Sequence, residues 1–79
     1  MRLDKFLKVS RVIKRRTVAN EAADSGRISI NGKVVKPSYE VKVGDIVEIE
    51  FGDKVSKFEI ISIPAVQGKN MGELIKIID

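Results

Sequence analysis

The 79-residue sequence contains no cysteine, no histidine and no tryptophan. Without cysteine there can be no disulfides, thiolate nucleophiles or cysteine metal sites. Without histidine, the commonest general base and the commonest transition-metal ligand are both missing. No serine lies in a nucleophile elbow, and no glycine-rich phosphate loop ends in Gly-Lys-Ser/Thr. The sequence therefore predicts a protein that is not an enzyme, with no catalytic residue, metal site or cofactor.

Long apolar runs and aromatic residues are also scarce. No run approaches the roughly 20 residues of a membrane span, and the N-terminus lacks the apolar core of a signal peptide. We therefore expect a cytoplasmic protein without a membrane partner, and the length fits one small domain. Three phenylalanines and one tyrosine provide few rings for stacking on bases, which disfavours recognition of single-stranded nucleic acid.

Positive charge is concentrated in the first half of the chain. Residues 1–36 hold ten Lys/Arg against three Asp/Glu, a net of +7, whereas residues 37–79 hold five against eight, a net of −3. This uneven distribution favours a polyanionic partner. Together with the lack of stacking rings, it indicates folded or double-stranded RNA that is recognised through phosphates and 2′-hydroxyls.

Two helices are predicted in this basic half. Helical spacing predicts the first over about residues 3–12, from the apolar positions Leu3, Phe6, Leu7 and Ile13. Asp4 lies in its first turn, where the helix dipole favours a carboxylate. Thr17 is a good N-cap for a second helix, which Gly26 ends by adopting a left-handed conformation.

A small β-sheet is predicted for the remainder. Asn31-Gly32 between short apolar segments is a strong signal for a two-residue type I′ hairpin turn. Strand alternation places Glu48 and Glu50 on one face, which we expect to point away from the basic half. Further strands are expected at residues 55–63 and 74–78, with a loop over 64–72. The predicted fold class is α+β: two N-terminal helices packed on a small, mostly antiparallel sheet with a C-terminal β extension.

Cations and helix amides make up the predicted RNA surface. Arg15 and Arg16 can each fork two phosphate oxygens, and the free amides at the start of the second helix, near Thr17, can donate to anions. The same reasoning adds Arg2, Lys5, Lys14, Asn20, Asn31, Lys33 and Lys36.

Four segments of the basic half form a specific combined pattern: Arg2-Leu-Asp-Lys-Phe-Leu, Arg11, Lys14-Arg-Arg-Thr-Val-Ala-Asn-Glu-Ala and Ser25-Gly-Arg-Ile-Ser-Ile-Asn-Gly-Lys-Val-Val-Lys-Pro-Ser38. This pattern resembles the RNA-binding domain named after ribosomal small-subunit protein S-four, also called the alpha-L motif. The resemblance implies an RNA-binding domain over residues 1–50, and C-terminal strands over 51–79 that complete the same single domain. It also implies RNA contacts by Arg11 and Arg27.

A free-standing domain of this length looks like the bacterial heat-shock protein fifteen family, and closer still to its short Gram-positive members, which act in ribosome-associated quality control. The resemblance implies binding to large-subunit ribosomal RNA and peptidyl-tRNA on stalled, split large ribosomal subunits. It further implies support for an NEMF-type factor that adds C-terminal alanine tails. We expect a ribosome-associated monomer.

Two other hypotheses remain open at this point. The chain could be the RNA-anchoring module of a larger RNA-modifying enzyme such as a pseudouridine synthase. It could also be a protein-interaction module that recruits a partner through a sheet edge, with RNA binding incidental.

Overall fold

The computed structural model describes residues 1–64 and 73–78. Helices α1 (Leu3–Val9) and α2 (Arg16–Asp24) precede five strands: β1 (Ile28–Ile30), β2 (Lys33–Val34), β3 (Ile46–Phe51), β4 (Lys54–Ile60) and β5 (Ile75–Ile78). The strands form one sheet in the order β2-β1-β3-β4-β5, and each neighbouring pair is antiparallel. The predicted α+β fold class is confirmed. The predicted loop lies, apart from Pro64, outside the described residues.

One face of the sheet packs against the helices. The cross-strand partners Ile28 and Ile49 are both fully buried, as are Val47 and its partner Phe58. Phe6 of α1 is also fully buried in this core, as its position on the apolar stripe predicts. Fully burying a side chain of this kind contributes roughly 1.5–3 kcal/mol, so this layer of side chains holds the helices on the sheet.

Helix α1 is shorter than the predicted span of residues 3–12. It ends at Val9, and Arg11 turns the chain with a φ of 66°. The amide of Ile13 then donates to the Leu7 carbonyl at 3.1 Å. Because this turn folds Ile13 back into the core, where it is buried, the residue keeps a helical spacing in the sequence without being part of the helix.

The predicted N-cap of α2 is wrong, whereas the predicted C-terminus is confirmed. The N-cap is Arg15, which is extended and makes no side-chain capping hydrogen bond, so Thr17 lies inside the first turn. At the other end Gly26 has a φ of 82°. The amide of Arg27 donates to the Ala22 carbonyl at 3.0 Å, a six-residue closure typical of the Schellman motif.

The hairpin between β1 and β2 is confirmed. Asn31 and Gly32 have φ angles of 53° and 85°, and the flanking residues Ile30 and Lys33 are paired. These values fit a two-residue type I′ turn. The strands are short, since β2 contains only two residues.

The remaining strands follow the predicted pattern with shorter bounds. Strand β3 alternates as expected, with Val47 and Ile49 buried. Glu48 lies on the face opposite the core, where its carboxylate is 3.7 Å from the Lys57 ammonium of β4. Strand β4 ends at Ile60 and not at residue 63, and β5 begins at Ile75.

Candidate nucleic-acid interface

A buried carboxylate joins the N-termini of the two helices. Asp4 is only 2% exposed. Its Oδ2 accepts from Arg2 Nη2 at 3.3 Å and from Asn20 Nδ2 at 3.2 Å, and its Oδ1 accepts from Arg16 Nη2 at 3.4 Å. The Lys5 amide donates to the same Oδ1 at 2.8 Å. We call Arg2, Asp4, Arg16 and Asn20 the Asp4 cluster.

The Asp4 carboxylate is held in its charged form. Burial raises its pKa, but hydrogen bonds from Asn20 and Arg16, the charge of Arg16 and the Lys5 amide lower it, so that the pKa lies below its ordinary value of 3.8. Hydrogen bonds to the ionised form outweigh desolvation here. At neutral pH the cluster therefore contains one buried negative charge and two guanidinium groups.

Both arginines of the Asp4 cluster remain open to solvent. The side chains of Arg2 and Arg16 are 51% and 45% exposed. Each arginine donates to Asp4 through one nitrogen, so most of the five N–H donors of its guanidinium remain available. Beside them lies an open groove of about 350 Å³, lined by Asp4, Arg16, Thr17, Asn20 and Glu21. Guanidinium donors that are fixed at one end and free at the other suit phosphate oxygens.

The two helices differ in the state of their first amides. In α1, the Leu3 amide donates to the Tyr39 carbonyl at 2.7 Å. The Asp4 amide donates to the Pro37 carbonyl at 3.2 Å. In α2, the first three amides make no hydrogen bond within the described part of the chain. Because these donors lie at the positive end of the helix, next to Arg16, the start of α2 can accept an anion and the start of α1 cannot.

A second buried carboxylate holds the hairpin. Asp45 is 6% exposed, and its oxygens accept from Asn31 Nδ2 at 3.2 Å, Tyr39 Oη at 3.1 Å and the Lys42 amide at 2.9 Å. The Asn31 Oδ1 accepts from the Ile46 amide at 3.0 Å. Both polar atoms of the Asn31 side chain are thus engaged within the fold. An RNA contact by this residue stays a prediction, next to the structural role that the hydrogen bonds show.

The other predicted RNA-binding residues are distributed along the same half of the chain. Arg11, Lys14, Arg15, Thr17, Lys33 and Lys36 are exposed, and Lys5 is half-buried. Arg27 is the exception in position, because it lines a separate groove of about 260 Å³ with Val18, Ala22, Glu50 and Phe51, among others. Only three of the predicted residues, Arg2, Arg16 and Asn20, meet at the Asp4 cluster.

Sequence reasoning identified the cations but missed the two carboxylates that organise the surface. Asp4 was expected only to complement the helix dipole, and no role was predicted for the Asp45 side chain. The available signal was weak: Asp4 follows Leu3 and lies one helical turn before Leu7, next to the apolar stripe. A carboxylate at such a position must find hydrogen-bond partners when the helix packs.

Across residues 1–64 and 73–78, no group of three His, Cys, Asp or Glu side chains could hold a metal ion. Neither of the two described helices has the length and apolar character needed to cross a membrane.

The family assignment follows from a match over the two helices, the hairpin and the start of β3. The S4 domain family model matches residues 1–47, which is more than half of the chain. The chain therefore belongs to the S4 domain family. The similarity in structure covers almost the whole chain. The trimeric structure of Vibrio cholerae Heat Shock Protein 15 matches this fold with a TM-score of 0.85 at 26% identity, over 99% of this chain and 81% of that one.

Relatives of higher sequence identity indicate the group within the S4 domain family that this chain resembles. The chain is 57% identical over 63 residues to the RQC P-site tRNA stabilizing factor of Streptococcus pneumoniae, covering 80% of this chain and 72% of the relative. At this identity and coverage the two share a family, which confirms the resemblance stated from the sequence. A more distant match, 49% identical over 51 residues, covers 63% of this chain and 21% of an uncharacterized RNA pseudouridine synthase of Aquifex aeolicus.

Proposed function

We propose that this chain is a non-enzymatic RNA-binding factor of ribosome-associated quality control in the cytoplasm. It binds large-subunit ribosomal RNA and peptidyl-tRNA on stalled, split large ribosomal subunits and supports C-terminal alanine tailing by an NEMF-type factor. The family relationship to factors named for stabilizing P-site tRNA supports the biological setting. The chain acts as a monomer and associates with the ribosome through RNA.

One observation carries the proposal: two half-exposed guanidinium groups, Arg2 and Arg16, are fixed on one carboxylate beside the open amides of α2. This arrangement offers several converging donors to phosphates and no stacking platform. Residues 1–50 form the RNA-binding part and residues 51–79 complete the same domain. The proposed contacts are Arg2, Lys5, Arg11, Lys14, Arg15, Arg16, Thr17, Asn20, Arg27, Asn31, Lys33 and Lys36.

The test is co-sedimentation with large ribosomal subunits carrying peptidyl-tRNA. We expect Arg2→Ala combined with Arg16→Ala to weaken association by about 3 kcal/mol or more, roughly 100-fold, because each residue loses charge-assisted hydrogen bonds. Arg16→Lys keeps the charge and the partner of Asp4 but loses the fork, so it provides a variant with less risk to folding. Far-UV circular dichroism melts show whether each variant folds.

Lys57→Ala is a control outside the interface, and it removes one positive charge where the double variant removes two. Lys57 lies on the sheet face opposite the core and, among the described residues, forms an ion pair with the half-exposed Glu48. We expect association close to that of the wild type. If the folded double variant sedimented with subunits as well as Lys57→Ala does, the assignment of the interface would be wrong.

Salt dependence provides a second measure of the same interface. Phosphate-dominated binding weakens with salt, with a log–log slope of about −0.7 to −0.9 for each neutralised phosphate. The double variant should therefore show a shallower slope than the wild type, and the difference should correspond to the loss of roughly one to two phosphate contacts.

The distant match to a pseudouridine synthase favours one alternative, in which the chain anchors a larger RNA-modifying enzyme to its substrate. Measurement of the intact mass of the native protein separates the two. A mass close to 8.8 kDa supports the free-standing factor, and a mass several times larger supports the enzyme module.

A further inference from the structure

We infer that Asp4 is a positioning residue of the RNA interface, so that removing this negative charge weakens RNA binding. The inference rests on the proposed function and deepens it. Simple electrostatics predicts the opposite sign, since an anion beside an RNA site repels phosphates. The geometry of the Asp4 cluster is what favours weakening.

The carboxylate joins parts of the chain that are far apart in sequence. Arg2 precedes α1 and Arg16 begins α2. Within the described residues, the side-chain hydrogen bonds between these two helices are those that Arg16 and Asn20 donate to Asp4. Asn20, one turn further along α2, donates to the oxygen that Arg2 uses. Asp4 thereby fixes the two guanidinium groups relative to each other and to the open amides of α2.

Asp4 is expected to strengthen binding because it orders the Arg2 and Arg16 side chains before RNA binds. Arginine is among the side chains with the most rotamer freedom, and an interface must immobilise it. Here Arg2 and Arg16 are already held at one nitrogen each while about half of each side chain stays exposed. Preorganisation of this kind increases affinity because part of the ordering cost is met before RNA binds. The Asp4 carboxylate itself is almost inaccessible, at 2% exposure, so no phosphate can approach it as closely as it approaches the arginines.

Asp4→Asn tests the inference with little change in volume. With its remaining oxygen towards the Lys5 amide and Arg16, the new amide nitrogen faces the donors of Arg2 and Asn20. Donor then opposes donor, and the Arg2 side of the cluster is released. We expect binding to large subunits carrying peptidyl-tRNA to weaken by about tenfold, although the net charge of the protein rises.

Asp24→Asn is the matched control for charge. Asp24 ends α2, is exposed, and takes part in no side-chain hydrogen bond or ion pair among the described residues. Its neutralisation should leave binding unchanged or tighten it. Weaker binding by Asp4→Asn, together with unchanged or tighter binding by Asp24→Asn, supports positioning because the two substitutions remove the same charge. Equal or tighter binding by folded Asp4→Asn would overturn it while leaving the proposed function intact.

A measurement without RNA separates positioning from a general loss of structure. In NMR spectra, the guanidinium protons of Arg2 and Arg16 should exchange with solvent more slowly than those of Arg15, and their guanidinium groups should rotate more slowly. Arg15 is exposed and makes no side-chain hydrogen bond or ion pair with any residue that the structure describes. In Asp4→Asn the Arg2 signals should become like those of Arg15, while backbone amide signals of the sheet stay in place. Unchanged Arg2 dynamics would overturn the inference. Failure of the wild-type protein to bind large subunits would remove both the proposed function and the inference.

Discussion

The buried carboxylates of Asp4 and Asp45 hold different kinds of partner. Asp45 accepts from an amide side chain, a tyrosine hydroxyl and a backbone amide, all of them neutral. Asp4 accepts from two half-exposed guanidinium groups as well as from Asn20. A buried carboxylate whose partners are used up within the fold stabilises structure, whereas one whose partners keep free donors prepares a surface for a ligand.

We therefore expect Asp45 to act mainly on stability and Asp4 mainly on RNA binding. Asp45 ties the hairpin, through Asn31, to the connector at Tyr39 and to the start of β3. Asp4 ties the first turns of both helices to one another. Variants at the two sites should therefore affect different measurements, and the sizes of the effects test whether the division is real.

The largest effect on stability is expected for Asp45→Ala. Three donors would lose their acceptor, and leaving donors unsatisfied costs about 1–3 kcal/mol each where water cannot replace the partner. Because Asn31 and Tyr39 reach solvent in part, we expect a total loss of about 2–3 kcal/mol. In a thermal melt this corresponds to a Tm lower by roughly 10–20 °C.

The exposed turn residue Asp53 offers a control, and Asp53→Ala should stay within about 0.5 kcal/mol of the wild type. Affinity for large subunits, measured well below the Tm of Asp45→Ala, should remain close to that of the wild type. Weakened binding by a fully folded Asp45→Ala would break the proposed division between the two clusters.

A smaller effect, of opposite sign, is expected at Arg11. This residue has a φ of 66°, in the left-handed region that glycine adopts without steric cost. Arg11→Gly should therefore raise the free energy of unfolding by about 0.5–1 kcal/mol. If Arg11 contacts RNA as proposed, the same variant should bind large subunits more weakly. Urea unfolding and co-sedimentation measure the two effects.

Asn31→Gly sharpens the test, because Asn31 has a similar φ of 53°. Here the substitution also removes the hydrogen bonds to Asp45 and from the Ile46 amide, so stability should fall. If both glycine variants were stabilised equally, the hydrogen bonds of Asn31 would contribute little to the fold.

The smallest effects are expected in the dependence of stability on pH. Asp4 acts at acidic pH, and Tyr39, which donates to Asp45, acts at alkaline pH. The folded pKa of Asp4 lies below its ordinary value of 3.8, so its ionised form stabilises the fold at pH values above that ordinary, unfolded value. This stabilisation is lost as the pH falls through the folded pKa. In melts from pH 7 to pH 2, the advantage of the wild type over Asp4→Asn should shrink below about pH 4.

At alkaline pH, the ionisation of Tyr39 is expected to lower the stability of the fold. Burial raises the pKa of its hydroxyl, as do the hydrogen bond to Asp45 and the charge of that carboxylate. Its neutral form therefore stabilises the fold below an unfolded pKa of about 10, and the contribution is lost as the pH rises through the folded value. Tyr39→Phe should be less stable at neutral pH and show a weaker decline above pH 10. An unchanged decline would assign it to another group.

Features that depend on neighbouring residues could be predicted from the sequence. The turn at Asn31-Gly32, the helix end at Gly26 and the alternation of β3 all reflect local backbone preference or a period of two. The basic character of the RNA surface also followed from composition, because charge does not depend on how the chain folds. The family pattern over residues 2–50 supported the same conclusion.

The arrangement of the surface was decided by tertiary structure. Nothing near Asp4 in the sequence indicates that it meets Arg16, twelve residues later, because that contact exists only after α1 packs on α2. The N-cap was also predicted wrongly: Thr17 has the chemistry of a cap, but the helix begins at Arg16, whose guanidinium donates to Asp4 of α1. The sequence thus determined which charges and turns this protein contains. Folding decided which cations share a carboxylate, since hydrogen bonds act over a few ångströms in space and not along the chain.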